Sequence, residues 1–127
     1  MSNDLTIPRA VWFGLEGKGY DNIAQELKSE NPLFRTWASI YAIYKYELTT
    51  PHQYYDFIHS TKDSRFAIVV FTISQKTIEA SDGIDDKDIT IVNLEEANSE
   101  ADLYKHLEHL NINPALFTPP WKCDYPL

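Results

Sequence analysis

A chain of 127 residues that is 43% hydrophobic and 13% aromatic is long enough to close one core and too apolar to remain disordered. Nineteen acids against eleven bases leave a net charge of −8, which repels phosphate backbones and argues against direct nucleic-acid binding. The single cysteine, Cys123, precludes an internal disulfide framework, no apolar run approaches the ~20 residues of a membrane span, and the start MSNDLTIPRAVWF lacks signal-peptide character. A reducing cytoplasm is the expected setting, with residues 1–127 forming one domain.

Arg9–Gly14 (RAVWFG) is short, β-prone and bounded by Pro8 and Gly17, so it reads as a first strand. Tyr20, Ile23, Ala24 and Leu27 recur at i, i+3, i+4 and i+7, the spacing of one helical face. Asn31-Pro32 then offers a cap and a first helical residue. The expected second helix runs from Pro32 to about Leu48, with Leu33, Phe34, Trp37, Ile40, Tyr41, Tyr44 and Leu48 as its apolar stripe. Within it IYAIYKYEL alone also fits a strand, but the longer pattern favours helix. Thr50 and Gln53 have capping-box spacing, and a third helix carrying Tyr54, Tyr55 and Ile58 should end near Ser60.

Phe66–Ser74 (FAIVVFTIS) is apolar on both alternating faces, as a strand covered on both sides must be. Ile89–Leu94 (ITIVNL) is a second strand, and the turn-forming SDGIDDKD between them suggests an antiparallel pair. Thr77–Ala80 would extend the first strand, making the central pair 66–80 and 88–94. Ser99-Glu100-Ala101-Asp102 caps a last helix whose Leu103, Leu107 and Leu110 face the core. From 111 to 127 four prolines make the chain extended, while Phe117, Trp121 and Tyr125 give it apolar anchors. This tail is expected to lie across the domain as a strap. The fold class that follows is α+β, with helices packed on a small, mostly antiparallel sheet.

Charge is concentrated in Glu79–Asp102. This stretch holds nine acids (Glu79, Asp82, Asp85, Asp86, Asp88, Glu95, Glu96, Glu100 and Asp102) and one base, Lys87, so it carries all of the −8, while the remaining ten acids and ten bases cancel. Such a segment attracts cations or a basic protein surface. A calcium loop started at Asp86 places Asp88 and Thr90 correctly, but it puts Ile91 where glycine is needed and Ala97 where the final glutamate belongs. Solvated turn and first-turn residues are the plain alternative, since aspartate is common in turns and acids favour helix N-termini.

Other chemistries find less support. His106 and His109 lie at i, i+3 with Cys123 as a conceivable third zinc ligand, but HLEH matches neither HExxH nor HxxEH, so no metal or other cofactor is expected. Cys123 lacks a glycine-rich elbow, and His52 and His59 have no partner identifiable from sequence. Gly14-x-x-Gly17-x-Gly19 has the wrong spacing for phosphate loops. IAQEL suggests a helix-turn-helix, but Lys28 stands where glycine is usual, Asn31-Pro32 lengthens the turn, and only Arg35 is available for phosphates. The aromatic group Trp37, Tyr41, Tyr44, Tyr46, Tyr54, Tyr55 and Phe57 is mostly core, with a few tyrosines left for a surface.

In size, acidity and lack of catalytic motifs the chain resembles bacterial toxin-immunity proteins, a resemblance of overall character carried mainly by Glu79–Asp102. It implies a non-enzymatic, acidic inhibitor that blocks a basic partner such as a nuclease-type toxin. Glu79, Asp82, Asp85, Asp86, Asp88, Glu95 and Glu96 are the expected contact residues, with no membrane involvement. The alternatives are a DNA mimic that occupies a nucleic-acid-binding enzyme, and a small enzyme using His52, His59, or His106 with Cys123.

Overall fold

The computed structural model describes residues 5–50, 53–80 and 83–127. It is an α+β fold: a four-stranded sheet with helices packed against it. The strands are β1 (Asn22–Leu27), β2 (Phe34–Ala42), β3 (Phe66–Ser74) and β4 (Ile89–Ala97). They lie in chain order and every neighbouring pair is antiparallel. Among the described residues four α-helices accompany them: α1 (Arg9–Glu16), α2 (Asp56–Ser60), α3 (Gln75–Ala80) and α4 (Glu100–His109). Among the described residues no helix is long and apolar enough to cross a membrane.

β3 sits inside the sheet, and its first six residues are all buried. Its even-numbered side chains, Phe66, Ile68 and Val70, join a core built with Trp12 and Leu15 of α1, Leu103 and Leu107 of α4, and Phe117. Its odd-numbered side chains, Ala67, Val69, Phe71 and Ile73, join a second core with Trp37, Tyr41, Ile43, Phe57 and Ile58. The sheet is therefore the middle of three layers. The strand expected at 66–74 is found with those bounds, and the antiparallel strand expected at 88–94 continues to Ala97.

The first half of the chain departs from expectation. Arg9–Gly14 belongs to α1 rather than to a strand, because Trp12 and Leu15 are buried three residues apart while Phe13 is 62% exposed. Gly14 lies against Tyr20, whose hydroxyl donates to the Val11 carbonyl at 2.8 Å; a Cβ on Gly14 would fall 2.3 Å from that hydroxyl oxygen. The helical face expected at Tyr20–Leu27 is β1. There Ala24 exchanges backbone hydrogen bonds with Thr118, and Gln25 donates to the Asn113 carbonyl at 2.8 Å. Burial by that distant segment hides strand alternation and leaves a helix-like spacing by coincidence.

The helix expected from Pro32 to Leu48 is β2 followed by a 3-10 turn, Ile43–Lys45. From Trp37 to Ile43 every residue is buried, so an unbroken apolar run fits either period. Alternation survives only in size: Trp37 and Tyr41 face one core, Ala38, Ile40 and Ala42 the other. The third helix ends at Ser60 as expected but begins only at Asp56, with Tyr55 at its N-cap position. Thr50 does not cap it, and Pro51 lies outside the described residues. Thr77–Ala80 lies in helix α3 rather than in an extension of β3.

The capping of α4 follows the sequence: the Ser99 hydroxyl accepts the Asp102 N–H at 3.1 Å. Its other end closes on Asn111 at φ 59, with Asn111 N–H bonded to Glu108 O and Ile112 N–H to Leu107 O. This pattern satisfies helix-terminal carbonyls through a left-handed residue, a conformation asparagine tolerates better than most. The chain then passes around the β1 edge. Phe117 enters the first core, while Trp37 Nε1 donates to the Cys123 carbonyl at 2.9 Å and the Tyr41 and Tyr125 hydroxyls meet at 2.6 Å on the second.

Phe71 is fully buried between Trp37, ring centroids 6.1 Å apart, and Tyr125, 5.7 Å away. Phe71→Ala should destabilise the fold by about 3–5 kcal/mol through lost burial and the cavity left behind. Urea titration measures it; a loss under about 1 kcal/mol would mean that β3 is not the centre of the second core.

Candidate functional site

The acidic stretch begins on α3, where Glu79 is exposed, and passes through Asp82, which lies outside the described residues. The next three acids are brought together. Asp85 precedes a single 3-10 turn, Asp86–Asp88, and forms a reciprocal box with Asp88: each side chain accepts the other's backbone N–H, at 2.9 Å for Asp85 N–H to Asp88 Oδ2. Asp86 Oδ1 accepts the Asp56 N–H at 2.9 Å and so supplies the cap α2 lacks locally. Tyr55 donates to the Ile84 carbonyl at 2.6 Å. Burial, and then the negative charge of Asp86, Asp85 and Asp88, raise the Tyr55 phenol above its ordinary value.

Glu95 and Glu96 lie toward the other end of β4, opposite Ile68 and Ala67 of β3. From Ile89 to Glu95 the strand advances roughly 20 Å at about 3.3 Å per residue. The seven expected contact residues are thus not one cluster; the described members are the exposed Glu79 on α3, a group of three at the start of β4, and a pair near its end. Glu95 Oε2 is 3.8 Å from His106 Nδ1, a contact that is ionic only when the imidazole is protonated. Glu96 accepts the Ser64 hydroxyl at 2.8 Å.

Most of these carboxylates are held by neutral donors. Among the described residues none of Glu79, Asp85, Asp86, Asp88 and Glu96 has an ion-pair partner within 4.0 Å. Glu100 is different. Burial disfavours its charged form, but hydrogen bonds from Arg9 and Tyr104 prevail and hold it below the ordinary carboxylate range. The negative charge without an ionic partner is therefore that of the 3-10 turn, of Glu79 and of Glu96 among these described residues. Backbone and hydroxyl hydrogen bonds fix position without cancelling charge.

Between the two acidic groups β4 is apolar and open: Ile91 is 40% and Val92 54% exposed. Neither exposed side chain is singled out by the sequence. ITIVNL was legible as a strand, but nothing local shows that a strand will be the last of its sheet. Two adjacent exposed apolar residues flanked by acids are the available signal.

The residues weighed for catalysis are dispersed. His106 stands on α4, which packs over the first core, whereas Cys123 packs against the second, so the sheet separates them. Burial first, and then the charge of Glu26, push the Cys123 thiol up, which keeps it protonated and weakly nucleophilic near neutral pH. His59 is on α2 with Nε2 buried and without a hydrogen-bond partner among the described residues; His109 is exposed at the end of α4, and His52 is outside the described residues. Among the described residues no three His, Cys, Asp or Glu side chains converge as metal ligands. No protein-family model, curated protein or solved structure matches the chain.

A dual use of Asp86, as helix cap and as surface charge, is open to separation. Asp86→Ala removes the acceptor for Asp56 N–H and should cost about 0.5–2 kcal/mol, whereas Asp86→Asn keeps an acceptor oxygen and should cost less than half as much. Thermal and urea unfolding of both variants checks this, and equal losses would show that charge rather than the cap is what α2 uses.

Proposed function

We propose that the chain is an acidic, non-enzymatic binding protein that engages a basic protein partner through the carboxylates flanking β4 and inhibits it by covering its active site or substrate path. A nuclease-type toxin is the kind of partner that fits, because an active site that attracts nucleic acid presents positive charge of the required sign. The observation that carries this reading is the lack of ionic compensation at Asp85, Asp86, Asp88 and Glu96 among the described residues, together with their fixed geometry. Preorganised, uncompensated charge speeds encounter with an opposite surface and loses little side-chain freedom on docking.

Neutralisation is the sharper test than charge reversal, since asparagine retains the oxygens that the 3-10 turn and α2 require. Partner captured from cell extract on the immobilised protein would be purified and its binding measured against the triple variant Asp85→Asn, Asp86→Asn, Asp88→Asn. The control is Glu16→Gln, Glu30→Gln, Asp63→Asn, which removes the same charge from exposed positions elsewhere. The site variant should bind at least tenfold more weakly, or about 1.4 kcal/mol, mainly through slower association at low salt. One equivalent of wild-type protein should also suppress the partner's activity. Equal weakening by both triples would reduce the effect to overall charge, and no weakening by either would remove the acids from the interface.

A further inference from the structure

We infer that the outer edge of β4 is a strand-addition site for an extended, basic segment of the partner; this rests on the reading that a basic protein is bound here. The hydrogen-bond phase of the sheet fixes which groups are free. Ala42 N–H bonds to Asp21 O, and Gln75 N–H to Leu33 O. Alternation across the register then points the even-numbered backbone groups of β3, Phe66 to Thr72, toward β4. On β4 they meet Ala97, Glu95, Asn93 and, beyond the bulge opposite Val70/Phe71, Thr90. The N–H and C=O groups of Ile89, Ile91, Leu94 and Glu96 therefore point away from the sheet. Among the described residues no backbone hydrogen bond joins them to another segment.

The two edges of the sheet are treated differently. β1 is closed at its middle by Thr118, which makes both backbone hydrogen bonds to Ala24 at 2.9 Å. Among the described residues the β4 edge has no such cover. It also presents two adjacent exposed apolar side chains, Ile91 opposite Phe71 and Val92 at the bulge, with carboxylates beyond them at both ends. An added strand would gain main-chain hydrogen bonds, apolar contact at its centre and charge complement at its ends.

Charge selects the occupant. In a second copy paired edge to edge and antiparallel, Glu95 and Glu96 of one chain would approach Asp86 and Asp88 of the other. Like charges facing across strands are destabilising, and charged residues with a bulge are common protections against edge pairing. Those same groups favour a strand with lysine or arginine at its ends and β-branched residues between them.

The probe is a capped peptide of about nine alternating lysines and valines. Its partner probe is identical except for methylation of two adjacent central backbone nitrogens, one on each edge of the extended chain, which removes donors but leaves charge and side chains. The parent peptide should bind and shift the amide resonances of 89–96, and the methylated peptide should bind at least tenfold more weakly. Equal affinity for the two would overturn strand addition and leave charge-driven docking standing. Shifts confined to another surface, or no binding by either peptide, would overturn strand addition as well. In each of these cases the asparagine triple against the purified partner still decides whether the acids form the interface.

Discussion

Burying both faces of one strand is the constraint on which this structure depends. β3 carries large apolar side chains in both alternations, so a sheet with one wet face cannot accommodate it. Each face needs its own cover, and the chain supplies them from different places. α1, α4 and Phe117 cover one face; Ile43, α2 and the C-terminal Tyr125 help cover the other. The C-terminal segment contributes to both layers by rounding the β1 edge, pairing with Ala24 on the way. Among the described residues that closure leaves β4 as the edge whose outward backbone groups bond to no other segment. Openness at β4 is thus a consequence of how the rest of the sheet is satisfied.

The acidic stretch is tied into this architecture by hydrogen bonds that leave its charge in place. Asp85, Asp86 and Asp88 accept backbone N–H groups around the 3-10 turn and at the start of α2. A hydrogen bond from a neutral donor stabilises an anion without supplying an opposite charge. The turn is consequently ordered and still strongly negative. Glu100 illustrates the other possibility, since Arg9 and Tyr104 convert it into a strut between the N-terminal segment and α4. Only carboxylates of the first kind retain attraction for a distant partner.

What could be read from sequence divides along local and long-range lines. β3 and β4 were legible because β-branched residues and a turn-rich connection lie within a few residues of one another. α4 was legible because Ser99 and Asp102 form its cap locally. β1 and β2 were not. Gln25 is covered by the backbone at Asn113 and Ala24 by Thr118, contacts no short window contains. In β2 every residue from Trp37 to Ala42 is buried, on both faces of the sheet, so hydrophobicity alone cannot give a period of two. The candidate site was legible as charge but not as geometry. Composition shows that the acids are uncompensated in sequence; only the register of β4 shows that they stand in separate groups with an open strand between them.

Amide hydrogen exchange of the free protein tests this account most directly, because it reads the central strand and the open edge in one measurement. Ala67, Val69 and Phe71, whose amides point into the β2–β3 ladder and whose side chains are buried, should exchange only through the most costly openings. Ile91 and Leu94, pointing away from β3, should exchange far faster than Asn93 and Glu95 on the same strand. Alternating protection along β4 beside uniformly slow odd-numbered amides in β3 is the result the account requires. Uniform protection along β4 would mean that its edge is already covered, and fast exchange in β3 would mean that the sheet is not built around it.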